Sequence, residues 1–295
     1  MDLYDDKNLK PMLLSEINKP FDDKDYLFEI KFDGIRAIIY ASPNEIIIKN
    51  KRGFIVNDVF PELLDIKKLV NKKCIFDGEI VLMRDNKPSF DKLQERVLLK
   101  NKNKISYFKE NYPVTFVCFD ILYENKSLIT LSLETRKEIL SKYIDNECFV
   151  KSRTIDAKGK ELFKFVKRLD LEGIVAKVKS SEYIPGIRSR EWLKIKNVKD
   201  EDFYICGYKD GEDVISVVLG EKVRNKYRFV SKVVVGKKRK DYKLIVSSIK
   251  CENYLEDFNE DYIFIKPIYK CTVEFLEKTK NNHLRHPVFK GLRID

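Results

Sequence analysis

Lys31 opens the segment KFDGIR, in which a lysine and an arginine flank an Asp-Gly pair at residues 31–36. A lysine is a nucleophile only as the neutral amine, so a chain that uses one must set cations or desolvation against its proton. Three further segments carry groups able to help. Glu79 ends a second Asp-Gly segment, FDGE, and Glu172 opens EGIVAK. Lys194 and Lys196 alternate in EWLKIKN, and side chains two apart on a strand point the same way. Two ammonium groups aimed at one point repel each other, so this alternation calls for an anion between them. Taken singly, each segment has an ordinary structural use, since an Asp-Gly pair is a common hairpin turn and a lysine pair a common solvated face. Their joint occurrence is what suggests chemistry.

These groups need a framework, and the runs LFEIKF, AIIYA, EIIIKNK, CIFDGEIVLM, TFVCFDIL, GIVAKV and EWLKIKN predict strands from their β-branched and aromatic residues. Helical spacing predicts a helix in SLETRKEILSKYID, with Leu133, Ile139, Leu140 and Tyr143 on one face. A second helix is expected in GKELFKFVKRLDL, with Leu162, Phe165, Val166 and Leu169 inward. From Glu201 onward short strands broken by turns replace this alternation, in DFYICGYKDGEDVISVVLGEK, YRFVSKVVVGKK and YIFIKPIYKCTVEFLE, which predicts a small β-barrel. The domain boundary is expected within residues 197–202, dividing the chain into 1–198 and 199–295.

Lys and Arg number 58 against 47 Asp and Glu, a net charge of +11 that favours a polyanionic partner. No apolar run reaches the roughly 20 residues of a membrane span, and MDLYDDKNLK lacks the pattern of a signal peptide, so a protein that stays inside the cell is expected. The six cysteines are scattered with no CxxC pair, and the two histidines, His283 and His286, lie near the C-terminus, which argues against structural zinc.

The Lys-x-Asp-Gly-x-Arg segment and the later segments around Arg52, Glu79, Phe119, Glu172 and Lys194 resemble the motifs of ATP-dependent DNA ligases, a family of covalent nucleotidyl transferases. The resemblance extends over essentially the whole chain. It implies an α+β fold: a nucleotidyltransferase (adenylation) domain of mixed antiparallel sheets with helices, followed by an OB-fold β-barrel. It casts Lys31 as the residue that takes AMP from ATP, with Glu29 and Arg36 beside it on the nucleotide. In KNKRGF, Arg52 matches the family's Ser-Arg-x-Gly element except that Lys51 holds the serine position. Glu79 would bond the ribose, Phe119 in FVCFDILY would stack on adenine, and Glu172 would hold magnesium. Lys194 and Lys196 would face the α-phosphate, while Arg188 and Arg190 are candidates for the 5′-phosphate of a nick. The C-terminal LRHPVFKGLRID is similar to the Arg-x-Asp-Lys motif that orients pyrophosphate, with Arg293 and Asp295 present and the final lysine absent; Arg285 or Lys290 is the candidate substitute.

The implied partner is nicked double-stranded DNA, held by the two domains themselves and by the basic stretch VGKKRKDYK, with a hinge near residues 198–202 turning the second domain between ATP and DNA. The tail resembles most the ligase domain of bacterial end-joining ligases. That implies a monomeric repair enzyme in the bacterial cytoplasm, associated with the nucleoid, and a DNA-end-binding protein as recruiter. An RNA ligase shares the lysyl-adenylate chemistry, and a capping guanylyltransferase shares the motifs but takes GTP. A non-enzymatic nucleic-acid-binding module would account for charge, aromatics and barrel, but not for Lys31, Glu79, Glu172, Lys194 and Lys196 in this order.

Overall fold

A computed structural model describes residues 2–85, 87–279 and 281–293. The chain divides into two compact units, Met1–Asn197 and Val198–Asp295. No helix among the described residues is long and apolar enough to cross a membrane.

The strands of the first unit are β1 (Leu13–Glu16), β2 (Tyr26–Lys31), β3 (Ile35–Ala41), β4 (Ile46–Asn50), β5 (Cys74–Arg84), β6 (Lys87–Pro88), β7 (Val114–Glu124), β8 (Phe149–Lys151), β9 (Thr154–Asp156), β10 (Gly173–Val178) and β11 (Arg188–Lys196). Its α-helices are α1 (Leu3–Asp6), α2 (Phe90–Val97), α3 (Lys102–Asn111), α4 (Leu133–Ser141) and α5 (Gly159–Arg168), with a 3-10 helix at Pro61–Leu69. One sheet runs β1-β11-β10-β2-β9, and the other β4-β3-β5-β7-β8 with β6 on β5. Most pairs are antiparallel, but β1 with β11 and β7 with β8 are parallel.

Strand alternation sorts the chemistry from the core. On the first sheet Phe28, Ile174, Ala176 and Ile195 pack with Leu162 and Val166 of α5. Their neighbours Glu29, Lys31, Val175, Lys177, Lys194 and Lys196 therefore point the other way. On the second sheet Ala37, Ile39, Phe76, Ile80 and Phe116 join the core that includes Leu63 and Ile66 of the 3-10 helix and Leu140 of α4. Arg36, Asp77 and Glu79 fall on the opposite face. Helix α5 departs from the expected stripe: Phe165 and Leu169 are 40% and 38% exposed. Phe163 packs on the core in place of Phe165, because Gly159 sits tight against Phe28 and turns the 159/162/166 stripe to the sheet.

The second unit holds β12 (Lys199–Asp210), β13 (Val214–Val223), β14 (Lys226–Gly236), α6 (Lys240–Val246), β15 (Leu255–Glu256), β16 (Ile263–Phe264), β17 (Lys270–Phe275) and β18 (Val288–Arg293). Its sheet order is β15-β14-β13-β12-β17-β18, with β16 on β12. The barrel expected here has a ladder that stays open among the described residues, since the end strands β15 and β18 are not paired with each other. Register shifts at Ile205/Gly207, Leu219/Gly220 and Thr272/Val273 bend the sheet around its core, and α6 adds Ile245 to that core.

Candidate active site

Gly173 is the residue that assembles the site. It lies in register with Lys31 of β2 on one side and Lys196 of β11 on the other, so Glu172, one residue earlier, is set between two lysine-bearing strands. A Cβ at Gly173 would stand 2.2 Å from the Ile195 carbonyl oxygen, and its φ is +154°, so no other residue fits there without strain. Lys31 Nζ lies 2.7 Å from both Glu172 carboxylate oxygens. Lys194 and Lys196 do share a face, and the anion between them is Glu16 of β1, whose Oε2 lies 3.0 Å from each ammonium. Burial works against that carboxylate, but the two lysine hydrogen bonds hold its pKa below the usual range.

The second sheet brings Arg36 and Glu79 opposite each other in register. Gly34 just before them is required by close approach, because a Cβ there would meet the Ile80 carbonyl oxygen at 2.3 Å and Glu79 Cγ at 2.8 Å. Arg36 makes a two-pronged bond to buried Asp77, Nε to Oδ1 and Nη2 to Oδ2, both 2.6 Å. Tyr183 donates its hydroxyl to the same Asp77 Oδ2 at 2.7 Å. Glu79 has no such donors among the described residues, and burial pushes its carboxyl up to about 7 despite Arg36 and Lys31 nearby.

Phe119 owes its direction to a β-bulge. Asp77 pairs with Asp120 and Gly78 with Cys118, so Phe119 is the extra residue, turned out of the ladder. Its ring lies 4.3 Å from the Arg36 guanidinium and 4.5 Å from Lys177 Nζ. Glu29, Lys31, Arg36, Glu79, Phe119, Val175, Lys177 and Trp192 line one small cavity. At its floor Glu29 is buried and accepts from Lys177 at 3.0 Å and Ser152 at 3.1 Å. Lys137 Nζ stands 2.5 Å from its other oxygen, an ion pair by distance without hydrogen-bond angles. Burial pulls Lys177 down to about 8, with Glu29 resisting.

Beside this cavity a wider cleft is lined by Lys31, Arg36, Lys51, Glu79, Arg188 and Lys194. The structure thus brings Glu29, Lys31, Arg36, Glu79, Phe119, Glu172, Lys194 and Lys196 together around adjoining hollows, with Arg188 on the rim donating to the Leu14 carbonyl. Arg190 is exposed on β11 and Arg52 on the turn after β4. In the second unit Arg285 pairs with Glu277 at 2.5 Å, Lys290 with Glu274 at 2.6 Å and Arg293 with Asp202 at 3.1 Å. Asp295 lies outside the described residues. Part of the basic stretch 235–243 serves the unit internally: Lys237 pairs with Asp210, and Arg239 donates to the Lys290 carbonyl and covers the Phe289 ring.

Sequence reading did not single out Asp77, Lys177, Glu16, Lys137 or Ser152. Asp77 and Lys177 stand inside FDGE and EGIVAK, and period-two alternation from Glu79 and Val175 would have put both on the site face. The other three come from separate segments and carry no local signal.

Among known proteins, residues 11–196 match the model of the ATP dependent DNA ligase domain and residues 210–295 that of the ATP dependent DNA ligase C terminal region. The SPbeta prophage-derived DNA ligase-like protein LigB of Bacillus subtilis is 30% identical over 291 residues, which cover 97% of this chain and 99% of that protein. The multifunctional non-homologous end joining protein LigD of Mycolicibacterium smegmatis is 28% identical over 316 residues, 99% of this chain but 40% of that longer protein. Among solved structures, one from a study of DNA binding by Lig E DNA ligases has a TM-score of 0.67 at 17% identity, covering 96% of this chain and 99% of its own. A mycobacterial DNA ligase D complexed with ATP and MES has a TM-score of 0.60 at 21% identity, covering 98% and 96%. At these identities the structural likeness establishes the fold.

Proposed function

This chain belongs to the ATP-dependent DNA ligase family, and on that premise we propose that Lys31 carries AMP from ATP to the 5′-phosphate of a nick, from which the adjacent 3′-hydroxyl then displaces AMP to form the phosphodiester. The observation that carries the assignment is the convergence on Lys31 of one carboxylate at 2.7 Å and of the cleft holding Arg36, Lys51, Arg188 and Lys194. An ammonium has no lone pair, so the Lys31–Glu172 ion pair must open and a proton must leave before the amine attacks the α-phosphorus. The new N–P bond forms as the bond to pyrophosphate breaks. Lys194 and Lys196 exchange Glu16 for phosphate oxygens, a cationic pair suited to the charge that develops there. The slot with Phe119 on one side and Val175 among its lining takes the base, with Glu29 and Lys177 at its floor, and Glu79 takes the ribose. Arg52 is assigned to the ribose or phosphate of the nucleotide, and Arg188, which lines the cleft beside Lys31, to the 5′-phosphate of the nick. In the second unit, Arg285, Arg293 and Asp295 are assigned to pyrophosphate or DNA.

The donor set fits magnesium held mainly through substrate. Glu172 and Glu79 offer carboxylate oxygens, and no group of three or more His, Cys, Asp or Glu able to hold an ion by itself exists among the described residues. Bound there, the ion would neutralise phosphate charge.

The test is incubation with α-labelled ATP and magnesium, then a chase with nicked duplex DNA or nicked duplex RNA. Labelled protein, lost in Lys31→Ala, and sealing of DNA are expected; a label that persists in Lys31→Ala refutes its assignment, and sealing of RNA alone selects the RNA-ligase reading. Similarity to end-joining proteins supports recruitment by a bacterial DNA-end-binding protein and work as a monomer on the nucleoid, in the cytoplasm. Unchanged sealing of broken ends when such a protein is added would count against the recruitment.

A further inference from the structure

Helices α2 and α3 meet in a groove that the chain itself leaves uncovered. Leu98, Leu99, Lys104, Tyr107 and Phe108 are among the residues that line it. Leu98 is 80% exposed and Tyr107 55%, with Val97 beside them at 39%. The frame that presents these side chains is fixed. The Leu98 and Leu99 amides donate to the Gln94 and Arg96 carbonyls at 3.4 and 3.1 Å, and Asn101 Oδ1 caps α3 by accepting from the Asn103 and Lys104 amides at 2.9 and 3.2 Å. Helix α3 is 10 residues long and has Ile105 as its one buried residue. A helix this short is marginal in water unless one of its faces is packed. Apolar surface held out on a capped helix and an ordered turn is the form of a binding face.

The charges around the groove define what fits it. Lys100, Lys102 and Lys104 are exposed, and none of them is ion-paired among the described residues. Lys102 and Lys104 stand in the first turn of α3, where the helix dipole is already positive and no acidic residue offsets it. Glu95, the carboxylate on the groove, is taken by Lys92 at 2.5 Å. A partner that sets carboxylates beside apolar anchors answers both features. A second copy of this chain would bring the same lysines and a net charge of +11. The groove also lies behind its sheet from the nucleotide cavity, because Leu93 of α2 packs with Phe76 and Phe116 on the face opposite Arg36, Asp77 and Glu79.

We propose that the groove between α2 and α3 docks a short acidic, amphipathic helix of another protein. Apolar residues at i, i+3 or i+4 and i+7 of that helix seat on Leu98, Leu99, Tyr107 and Phe108, and its carboxylates meet Lys100, Lys102 and Lys104. The surface takes no part in the transfer of AMP or in contact with the nick, so it goes beyond the ligase reading and does not depend on it.

The test uses the full chain and a fluorescent helical peptide of about 15 residues, with leucines at that spacing and glutamates between them. Anisotropy is read for wild type, Leu98→Ser/Tyr107→Ser and Lys102→Gln/Lys104→Gln, with the melting temperature as the check on folding. Wild type should bind this peptide, and should bind a version with lysines for the glutamates about tenfold or more weakly. Leu98→Ser/Tyr107→Ser should melt with the wild type, because both side chains are exposed, and lose about tenfold or more in affinity. Lys102→Gln/Lys104→Gln should bind more weakly, with a shallower dependence on salt. A wild type that ignores the glutamate peptide overturns the proposal. Unchanged affinity in the serine variant does so too, since the peptide would then sit elsewhere, and equal affinity for the lysine peptide would remove the acidic partner. A wild-type dimer in sedimentation that the serine variant loses would make a second copy the occupant, and would equally overturn it.

Discussion

Asp77→Asn should loosen the first unit and blunt nucleotide binding together. Asp77 is fully buried and holds Arg36 through two 2.6 Å bonds, with Tyr183 donating to the same carboxylate. Asparagine keeps the shape but turns one acceptor into a donor aimed at the guanidinium, leaving a largely buried cation without its counter-charge. Breaking a buried pair in this way costs about 3–5 kcal/mol, and the conserved shape argues for the lower end. In a unit of this size roughly 1 kcal/mol lowers the melting temperature by about 2–4 °C, so a fall of about 6–12 °C is expected by calorimetry or dye-monitored melting. Arg36 also lies 4.3 Å from the Phe119 ring, so ATP affinity should fall as the ring's neighbour is released. Arg36→Met combined with Asp77→Asn should be less damaging than the sum of the two, with a coupling of at least about 1.5 kcal/mol. Unchanged melting in Asp77→Asn, or additive losses in the cycle, would refute the reasoning that this pair fixes the site.

The same geometry sets three further outcomes. Phe119→Ala should weaken ATP binding by about 1–3 kcal/mol, read by titration calorimetry, with a smaller effect on nick binding; equal ATP affinity would count against stacking. Glu79 has its folded pKa raised to about 7 by burial. A raised carboxylate pKa gives stability that is full below the unfolded value and lost as pH rises through the folded one. Glu79→Gln, which imitates the protonated form, should therefore melt higher than wild type at pH 8 and lose that advantage toward pH 4.5, while binding ATP more weakly. A melting temperature no higher than wild type at pH 8 contradicts this. Gly173→Ala should part β10 from β11 and misplace Glu172, seen as faster limited proteolysis and lost sealing; normal activity would show that the 2.2 Å approach relaxes cheaply.

The contrast between what was legible and what was not comes down to distance along the chain. The long strands could be read because Cys74–Arg84 and Val114–Glu124 carry dense apolar and β-branched runs on either side of Asp77-Gly78-Glu79 and of Asp120, as strands buried in a sheet require. Phe149–Lys151, Thr154–Asp156 and Leu13–Glu16 are only three or four residues long and were not read; their neighbours make them strands. Helix α2, FDKLQERV, escaped because its buried residues are one leucine and Arg96, a cation held by the Val59 carbonyl and Glu62 from elsewhere. The groups with chemistry announce themselves because a closely approached glycine must sit beside them: at Gly34, next to Glu79's strand, and at Gly173, next to Glu172, an added Cβ would stand 2.3 and 2.2 Å from a backbone carbonyl oxygen. Their counter-ions make no such demand. Glu16 reaches Lys194 because β1 lies parallel to β11 in register with it, and Lys137 reaches Glu29 from a helix more than a hundred residues away. A nucleophile and its glycine are local, so spacing reveals them. The charges that hold it poised are set by strand order, and strand order leaves no period in the sequence to find.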